Sequence, residues 1–128
     1  MQIITGKYRA RKLVHPEGDA TRPTLARIKE SVFSMLPLSF DGKVVLDLFA
    51  GSGAYGLEAL SRGAKTTILV DNNQKSIDAI KKNSRNMQED LRIESKDCFV
   101  VLENFLQKKS NLILFFWIHH MPLILVKR

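Results

Sequence analysis

The chain has 128 residues, 45% of them hydrophobic, which suits one globular domain with a single core. Its net charge of +7 at pH 7 favours a polyanionic partner such as nucleic acid. A disulfide-stapled secreted domain is excluded, because Cys98 is the only cysteine. With no signal-like pattern at the first residues, we expect a cytoplasmic protein.

Residues 1–20 are predicted to form a basic N-terminal arm or β-hairpin. Two short β-prone segments flank a basic centre that contains Lys7, Arg9, Arg11 and Lys12, with Tyr8 among them. Cations contact phosphates and an aromatic ring stacks on bases, so this centre is a candidate RNA contact. A solvated charged turn is an equally simple interpretation. A polar linker with Pro16 and Gly18 follows.

A helix is predicted to begin near Pro23 or Thr24, since apolar residues then recur at helical spacing until Pro37 ends the pattern. Arg22 and Arg27 are candidates for RNA phosphate or cofactor carboxylate contacts. An amphipathic helix that only covers a sheet is the alternative.

The stretch 44–60 predicts a strand, a glycine turn and a helix. An apolar run from Val44 to Phe49 is followed by a loop of small residues and then by the helical pattern 57–60. Gly51 and Gly53 can adopt backbone angles closed to other residues and allow a ligand to lie against the main chain. The free N–H groups of the following helix point to the same place. A turn that only tightens the strand-helix junction is the alternative.

The chemistry of the expected ligand depends on two acids. The spacing Gly51-x-Gly53-x-x-Gly56 also fits a dinucleotide site, with Asp71 at the end of the next apolar strand, 66–70. Asp47, however, lies just before the loop, where a pyrophosphate would be repelled. A cofactor with an ammonium group suits Asp47 better, and S-adenosylmethionine (SAM) has one, together with ribose hydroxyls for Asp71. A nicotinamide-dependent oxidoreductase remains the alternative.

Asp97 is a third acid at a predicted strand-to-helix turn, after the short strand 91–94. Because ligands bind beyond the carboxyl ends of parallel strands, Asp47, Asp71 and Asp97 are expected to flank one crevice. Asp71 could instead cap the predicted helix 74–87. Cys98 is interpreted as a small buried hydrophobe rather than a nucleophile.

The segments Asp47–Gly53 (DLFAGSG) and Gly56–Ala64 (GLEALSRGA) closely resemble the RsmD family of bacterial methyltransferases, which methylate a guanine N2 of small-subunit ribosomal RNA. The resemblance runs from Met1 to about Lys109. It implies an α/β, Rossmann-like class I SAM-dependent methyltransferase fold with strand order 3-2-1-4, an arm that engages RNA, and a SAM-binding domain over 21–109. In that family the acid and its neighbour at Asp97-Cys98 contact the adenine. The expected cofactor-binding residues are Asp47, Phe49, Gly51, Gly53, Asp71, Asn72, Asp97 and Cys98.

The family pattern breaks near Lys109. Family members continue with an apolar strand and Asp-Pro-Pro-Tyr, which aims the guanine amine at the methyl group, whereas this chain continues with 110–128. We therefore assign no catalytic residue and expect impaired catalysis; a non-catalytic RNA-binding remnant is the alternative. Trp117 is encoded by TGG and the Ile118 codon begins with AT, so the codon straddling them encodes Asp. Suitable codons at 118–120 complete a hidden Asp-Pro-Pro-Tyr, which suggests a frame change near 108–109 and an aberrant apolar tail.

The tail suggests neither a metal site nor a membrane anchor. Adjacent side chains such as His119 and His120 diverge and have no supporting acids or cysteines, so no metal is predicted. The apolar run 112–118 is far shorter than the roughly 20 residues needed to span a bilayer. We expect it to form the fourth strand by hydrophobic pattern, with an exposed sheet edge that allows self-association.

Overall fold

A computed structural model of the chain describes residues 1–16, 22–89, 91–107, 112–118 and 121–127. The centre is a sheet of five strands, β1 (Val44–Leu48), β2 (Thr66–Val70), β3 (Arg92–Glu94), β4 (Leu112–Ile118) and β5 (Met121–Lys127). Their order in the sheet is β3-β2-β1-β4-β5. The first four strands are parallel, which confirms the predicted order 3-2-1-4.

Four helices accompany the sheet: α1 (Arg22–Ser34), α2 (Ala54–Ser61), α3 (Gln74–Met87) and α4 (Cys98–Leu106). The last three are the crossovers that parallel strands require. The bounds of α3 are those predicted, and its Ile77 and Ile80 are buried. Helix α2 begins earlier than expected, at Ala54, so that Gly56 lies in its first turn.

Both faces of the sheet are covered at its centre. Along β1, successive side chains point to opposite faces, so Val45 joins one apolar cluster and Leu46 and Leu48 join another. The first cluster contains residues of α1, α2 and the arm, and the second contains Val101 and Phe105 of α4. Burial on both faces explains why β1 reads as a nearly continuous apolar run.

The predicted hairpin-like arm is present. Gln2 and Lys12 form an antiparallel bridge, and the neighbouring Ile3 and Leu13 are buried in the cluster on the α1 side. The arm therefore contributes to the hydrophobic core as well as carrying its exposed basic centre.

A buried ionic cluster fixes the arm to α2. Glu58 is fully buried and accepts hydrogen bonds from the backbone N–H groups of Ile4 (2.8 Å) and Thr5 (3.1 Å). Its oxygens also lie 3.0 Å from Lys29 Nζ and 3.3 Å from Arg62 Nε. A buried carboxylate is tolerated when several partners compensate its charge, and here those partners come from the arm, α1 and α2.

The expectation that the fourth strand forms an uncovered edge is wrong. β5 pairs antiparallel with β4 along its whole length, from Leu112 opposite Lys127 to Ile118 opposite Met121. The residues of 121–127 are apolar except for Lys127, so a second strand could form directly after the first. The connecting residues His119 and His120 lie outside the described part, as do residues 17–21, which include most of the predicted linker.

Candidate cofactor site

The loop between β1 and α2 turns through left-handed backbone angles. Gly51 has φ +61°, Gly53 has φ +81° and the non-glycine Phe49 has φ +56°. A Cβ at Gly51 would meet no atom within 4 Å, so this side of the loop is open to a ligand. A Cβ at Gly53 would lie 2.8 Å from Leu69 Cδ2, so that glycine instead permits tight packing beneath the loop.

Asp47 supports this loop from below. Its side chain is 1% exposed, and its Oδ2 accepts a hydrogen bond of 2.9 Å from the backbone N–H of Gly56 in the first turn of α2. Among the described residues, Asp47 Oδ1 has no hydrogen-bond partner. Burial raises the pKa of Asp47 to about 8, the Gly56 N–H opposes this rise, and the charge of Asp71 adds to it. The site thus contains a buried carboxyl group that lacks a cation or a second donor.

Asp71 is oriented by the main chain on both sides. Its Oδ2 accepts from the N–H of Gly51 at 3.0 Å, and its Oδ1 accepts from the N–H of Asn73 at 2.9 Å. The alternative role of Asp71 as the cap of α3 is wrong, because Asn73 occupies that position and accepts from the N–H groups of Lys75 and Ser76. Asn72 is exposed beside it. Asp71 therefore joins the end of β2 to the glycine loop and keeps lone pairs for further donors.

Asp97 caps the fourth helix. It is exposed, and its Oδ1 accepts from the N–H groups of Phe99 (2.8 Å) and Val100 (3.3 Å). Cys98 is buried with its Sγ 3.8 Å from the carbonyl oxygen of Val70. Burial raises the pKa of the Cys98 thiol, which fits a packing role rather than a nucleophile.

Each of the three acids lies at the carboxyl end of a parallel strand. Asp47 is the next-to-last residue of β1, Asp71 follows β2 directly, and Asp97 follows β3. The charge of Asp71 raises the pKa of the buried Asp47 carboxyl group, so these two acids interact.

Two aromatic rings border this region, Phe49 and Phe99, and only Phe49 was predicted as a site residue. Phe49 is 39% exposed and Phe99 is 69% exposed, and their ring centroids are 6.0 Å apart in an edge-to-face arrangement. Exposed aromatic side chains at the edge of a polar crevice can contact a flat ligand ring. Hydrophobic periodicity could not identify Phe99 as a site residue, because Phe99 is exposed in the first turn of α4, whereas periodicity marks the side of a helix that packs on the sheet.

The cations of the arm, which are expected to contact RNA, lie away from the glycine loop. The N–H groups of Lys7 and Tyr8 donate to Ser61 at the end of α2, whereas the cofactor loop lies at its beginning. Eight residues of helix separate the two ends by about 12 Å. Arg27 is exposed on α1, and the side chain of Arg22 lies outside the described set.

Asn83 connects the arm to the glycine loop, which sequence reasoning missed. It is 1% exposed; its Nδ2 donates to the carbonyl oxygens of Ser52 (2.9 Å) and Val14 (2.9 Å), and its Oδ1 accepts from the N–H of Val14 (2.7 Å). The signal available was a polar residue on the buried side of α3, three residues after Ile80.

Residues 1–116 match the family described as Conserved hypothetical protein 95. The chain belongs to this family. The Bacillus subtilis protein YlbH is 46% identical over 88 residues, which are 69% of this chain and 48% of YlbH. Ribosomal RNA small subunit methyltransferase D of Escherichia coli K12 is 47% identical over 72 residues, which are 56% of this chain and 36% of that protein. The chain thus spans half the length of these curated relatives or less, and the predicted RsmD-type family is confirmed.

Solved structures confirm the fold. A hypothetical protein of Thermus thermophilus superimposes with a TM-score of 0.71 at 29% identity, over 89% of this chain and 67% of that one. The C-terminal domain of precorrin-6Y C5,15-methyltransferase from Rhodobacter capsulatus shares the fold alone, with a TM-score of 0.55 at 14% identity over 80% and 66% of the two chains. The fold is the predicted Rossmann-like, class I methyltransferase fold.

Metal-ligand clusters and membrane-spanning helices are both absent from the described ranges. No group of three or more His, Cys, Asp or Glu there could hold a metal ion. No helix in those ranges is long and apolar enough to cross a membrane.

Proposed function

We propose that this chain carries the cofactor-binding half of a SAM-dependent methyltransferase that acts on guanine N2 of small-subunit ribosomal RNA. The observation that carries the proposal is the buried Asp47 carboxyl group, which has an unpartnered oxygen beneath a glycine loop with an open side. An ammonium group or another donor would compensate that oxygen, and a pyrophosphate would not. The name of the E. coli relative supports the ribosomal substrate.

The remaining residues fit the other parts of SAM. Gly51 lets the cofactor approach the main chain, and Asp71, already oriented by two N–H groups, would accept ribose hydroxyls. Asp97, the Cys98 backbone and the exposed Phe49 ring would border the adenine, with Phe99 next to them. When bound, SAM supplies an electrophilic methyl group. The residues named above bind and orient the cofactor.

We assign the acceptor chemistry to no residue of this chain. A guanine amine is a weak nucleophile, and the Asp-Pro-Pro-Tyr motif that would orient it is not in this sequence. We therefore propose impaired methyl transfer, with residues 110–128 as an out-of-frame tail. The gene tests this directly: ATC, CAC and CAT at Ile118, His119 and His120 would complete the hidden motif, and other codons would remove it.

Calorimetric titration with S-adenosylhomocysteine tests the cofactor site. Wild-type protein should bind, and Asp71→Asn should bind about 10- to 100-fold more weakly, because it loses a charged acceptor worth roughly 1.5–3 kcal/mol. Asp78→Asn, an exposed change on α3, is the matched control and should bind like the wild type. A folded wild-type chain that binds NADH but not S-adenosylhomocysteine would contradict the proposal and favour an oxidoreductase.

Transfer is measured separately, with labelled SAM and small-subunit particles. We expect cofactor binding with little or no label in the RNA. Labelling by this chain at the rate of a family member that contains Asp-Pro-Pro-Tyr would contradict impairment. We also propose that self-association of this cytoplasmic chain uses the outer edge of β5 rather than that of β4.

A further inference from the structure

The outer face of α3 carries a row of cations that the cofactor site does not use. Lys75, Lys81, Lys82 and Arg85 are all exposed, on the side opposite the buried Ile77 and Ile80. The one acid in the helix, Asp78, accepts a hydrogen bond of 2.8 Å from Gln74 Nε2. The charges on this face do not alternate in sign: it has three more positive than negative charges.

The basic centre of the arm continues this row. Arg11 Nη1 donates to the carbonyl oxygen of Asn86 at 2.7 Å, near the end of α3. The Tyr8 hydroxyl donates to Glu89, and Lys7 Nζ lies 3.7 Å from the same carboxylate. Lys7 and Arg11 both lie over the Tyr8 ring, at 5.2 and 5.8 Å from its centroid. The cations of the arm and of α3 therefore form one surface, which we call the α3–arm surface.

The described part of the α3–arm surface is strongly basic. Among the described residues, its eight basic residues are Lys7, Arg9, Arg11, Lys12, Lys75, Lys81, Lys82 and Arg85, and its two acids are Asp78 and Glu89. These residues have a net charge of +6, against +7 for the whole chain. Charge concentrated in this way attracts a polyanion, because the phosphates meet many cations at once and release their counterions.

An open groove of about 620 Å³ runs along this surface between the end of α3 and β3. Lys81 and Arg85 line it together with Leu91 and Ile93, and with Glu89, which pairs with Lys7 and Tyr8 of the arm. A nucleotide matches this combination, since its phosphate can contact the cations while its sugar or base covers the apolar residues.

We propose that the α3–arm surface holds the RNA backbone. The bound RNA then extends from the cofactor loop, at the start of α3, along this helix to the arm at its end. Helix α3 starts directly after Asn73, beside the loop, and reaches the arm about 15 Å further on, from Lys75 to Arg85. RNA is the substrate class of the proposed function, on which this inference rests. It explains why the arm cations lie far from the cofactor loop: they contact a distant part of the same RNA.

The salt dependence of RNA binding tests the inference. We would measure fluorescence anisotropy of a labelled single-stranded RNA over a range of NaCl concentrations, with Lys81→Gln/Arg85→Gln and a matched control, Lys65→Gln/Arg92→Gln. Both pairs remove two exposed cations, but Lys65 precedes β2 and the Arg92 side chain lies over Phe105 on the α4 side of the sheet. Circular dichroism and S-adenosylhomocysteine binding should be unchanged in both.

We expect the α3 pair to weaken binding and to reduce the slope of log K against log salt by about 1.4, since each lost single-strand phosphate contact removes about 0.7. The control pair should keep the wild-type slope. Equal slopes for the two pairs would overturn the inference and leave the cofactor proposal standing. Wild-type protein that binds anionic vesicles but not RNA would also overturn it. A wild-type chain that does not bind S-adenosylhomocysteine would instead count against the proposed function.

Discussion

Replacing Asp47 by Asn should change how the stability of the protein depends on pH. The folded chain holds this carboxyl group fully buried with a pKa of about 8, against 3.8 for the unperturbed group. Between these two values the unfolded chain releases a proton that the folded chain keeps. The folded state therefore binds more protons, and the free energy of unfolding falls as the pH rises through this window.

The size of the effect follows from the width of the window. Each pH unit inside it lowers the free energy of unfolding by about 1.4 kcal/mol, so the interval from pH 5 to pH 7 lowers it by about 3 kcal/mol. Asp47→Asn removes this loss, because an amide does not titrate and its oxygen can still accept from the Gly56 N–H. The advantage of the variant over the wild type should therefore grow by about 3 kcal/mol from pH 5 to pH 7. Part of the advantage is already present at pH 5, because the unfolded wild-type carboxyl group is ionised above its ordinary pKa of 3.8.

Urea unfolding followed by far-UV circular dichroism at pH 5, 6 and 7 measures this difference. Asp41→Asn, at an exposed position, controls for the removal of a carboxylate as such. Comparing the variant with the wild type cancels the contribution of the other titrating groups. Parallel stability curves for the wild type and Asp47→Asn would refute the reasoning, because they would mean that burial does not keep Asp47 protonated.

Three further substitutions probe the buried polar groups and the loop by urea unfolding. Glu58→Gln should cost about 3–5 kcal/mol, since it leaves buried Lys29 and Arg62 without their carboxylate, whereas the exposed Glu103→Gln should be within about 0.5 kcal/mol of wild type. Asn83→Ala should cost about 2–3 kcal/mol and weaken S-adenosylhomocysteine binding, because Ser52 in the loop loses its donor; the exposed Asn86→Ala should do neither. Gly53→Ala should destabilise more than Gly63→Ala: both glycines have positive φ, with a strain of about 1–2 kcal/mol, but only a Cβ at Gly53 approaches Leu69. Equal effects in any matched pair would contradict the corresponding contact.

The sequence predicted the parallel sheet closely because its signals there are local. The strand 66–70 and the helix 74–87 have the predicted bounds, since each is an apolar or amphipathic run ended by a turn. The positions of Asp47, Asp71 and Asp97 at the carboxyl ends of β1, β2 and β3 were also predictable, because each acid ends or follows an apolar strand. These inferences need only periodicity and the rule for parallel topology.

Other features depend on contacts distant along the chain, and the sequence did not reveal them. The hydrogen bond from the Gly56 N–H to Asp47 requires α2 to start at Ala54, earlier than the helical pattern 57–60 indicated. The role of Asn83 requires that residues 14 and 52 meet on one side chain, with sequence separations of 69 and 31. The pairing of β5 with β4 was not predicted, because the sequence pattern was assigned to a strand over 112–118 but not over 121–127.

The arm has two roles that a deletion experiment would confuse. Its exposed cations extend the α3–arm surface, but its backbone also supplies donors to buried Glu58 at Ile4 and Thr5, and Ile3 and Leu13 fill the core. Removing the arm would leave Glu58 with fewer partners and open a cavity, so the chain would lose stability before any question of RNA arose. Loss of RNA binding after such a deletion would therefore say little about phosphate contacts. Charge-neutralising changes at Lys7 or Arg9, whose side chains are exposed and outside the core, separate the two roles.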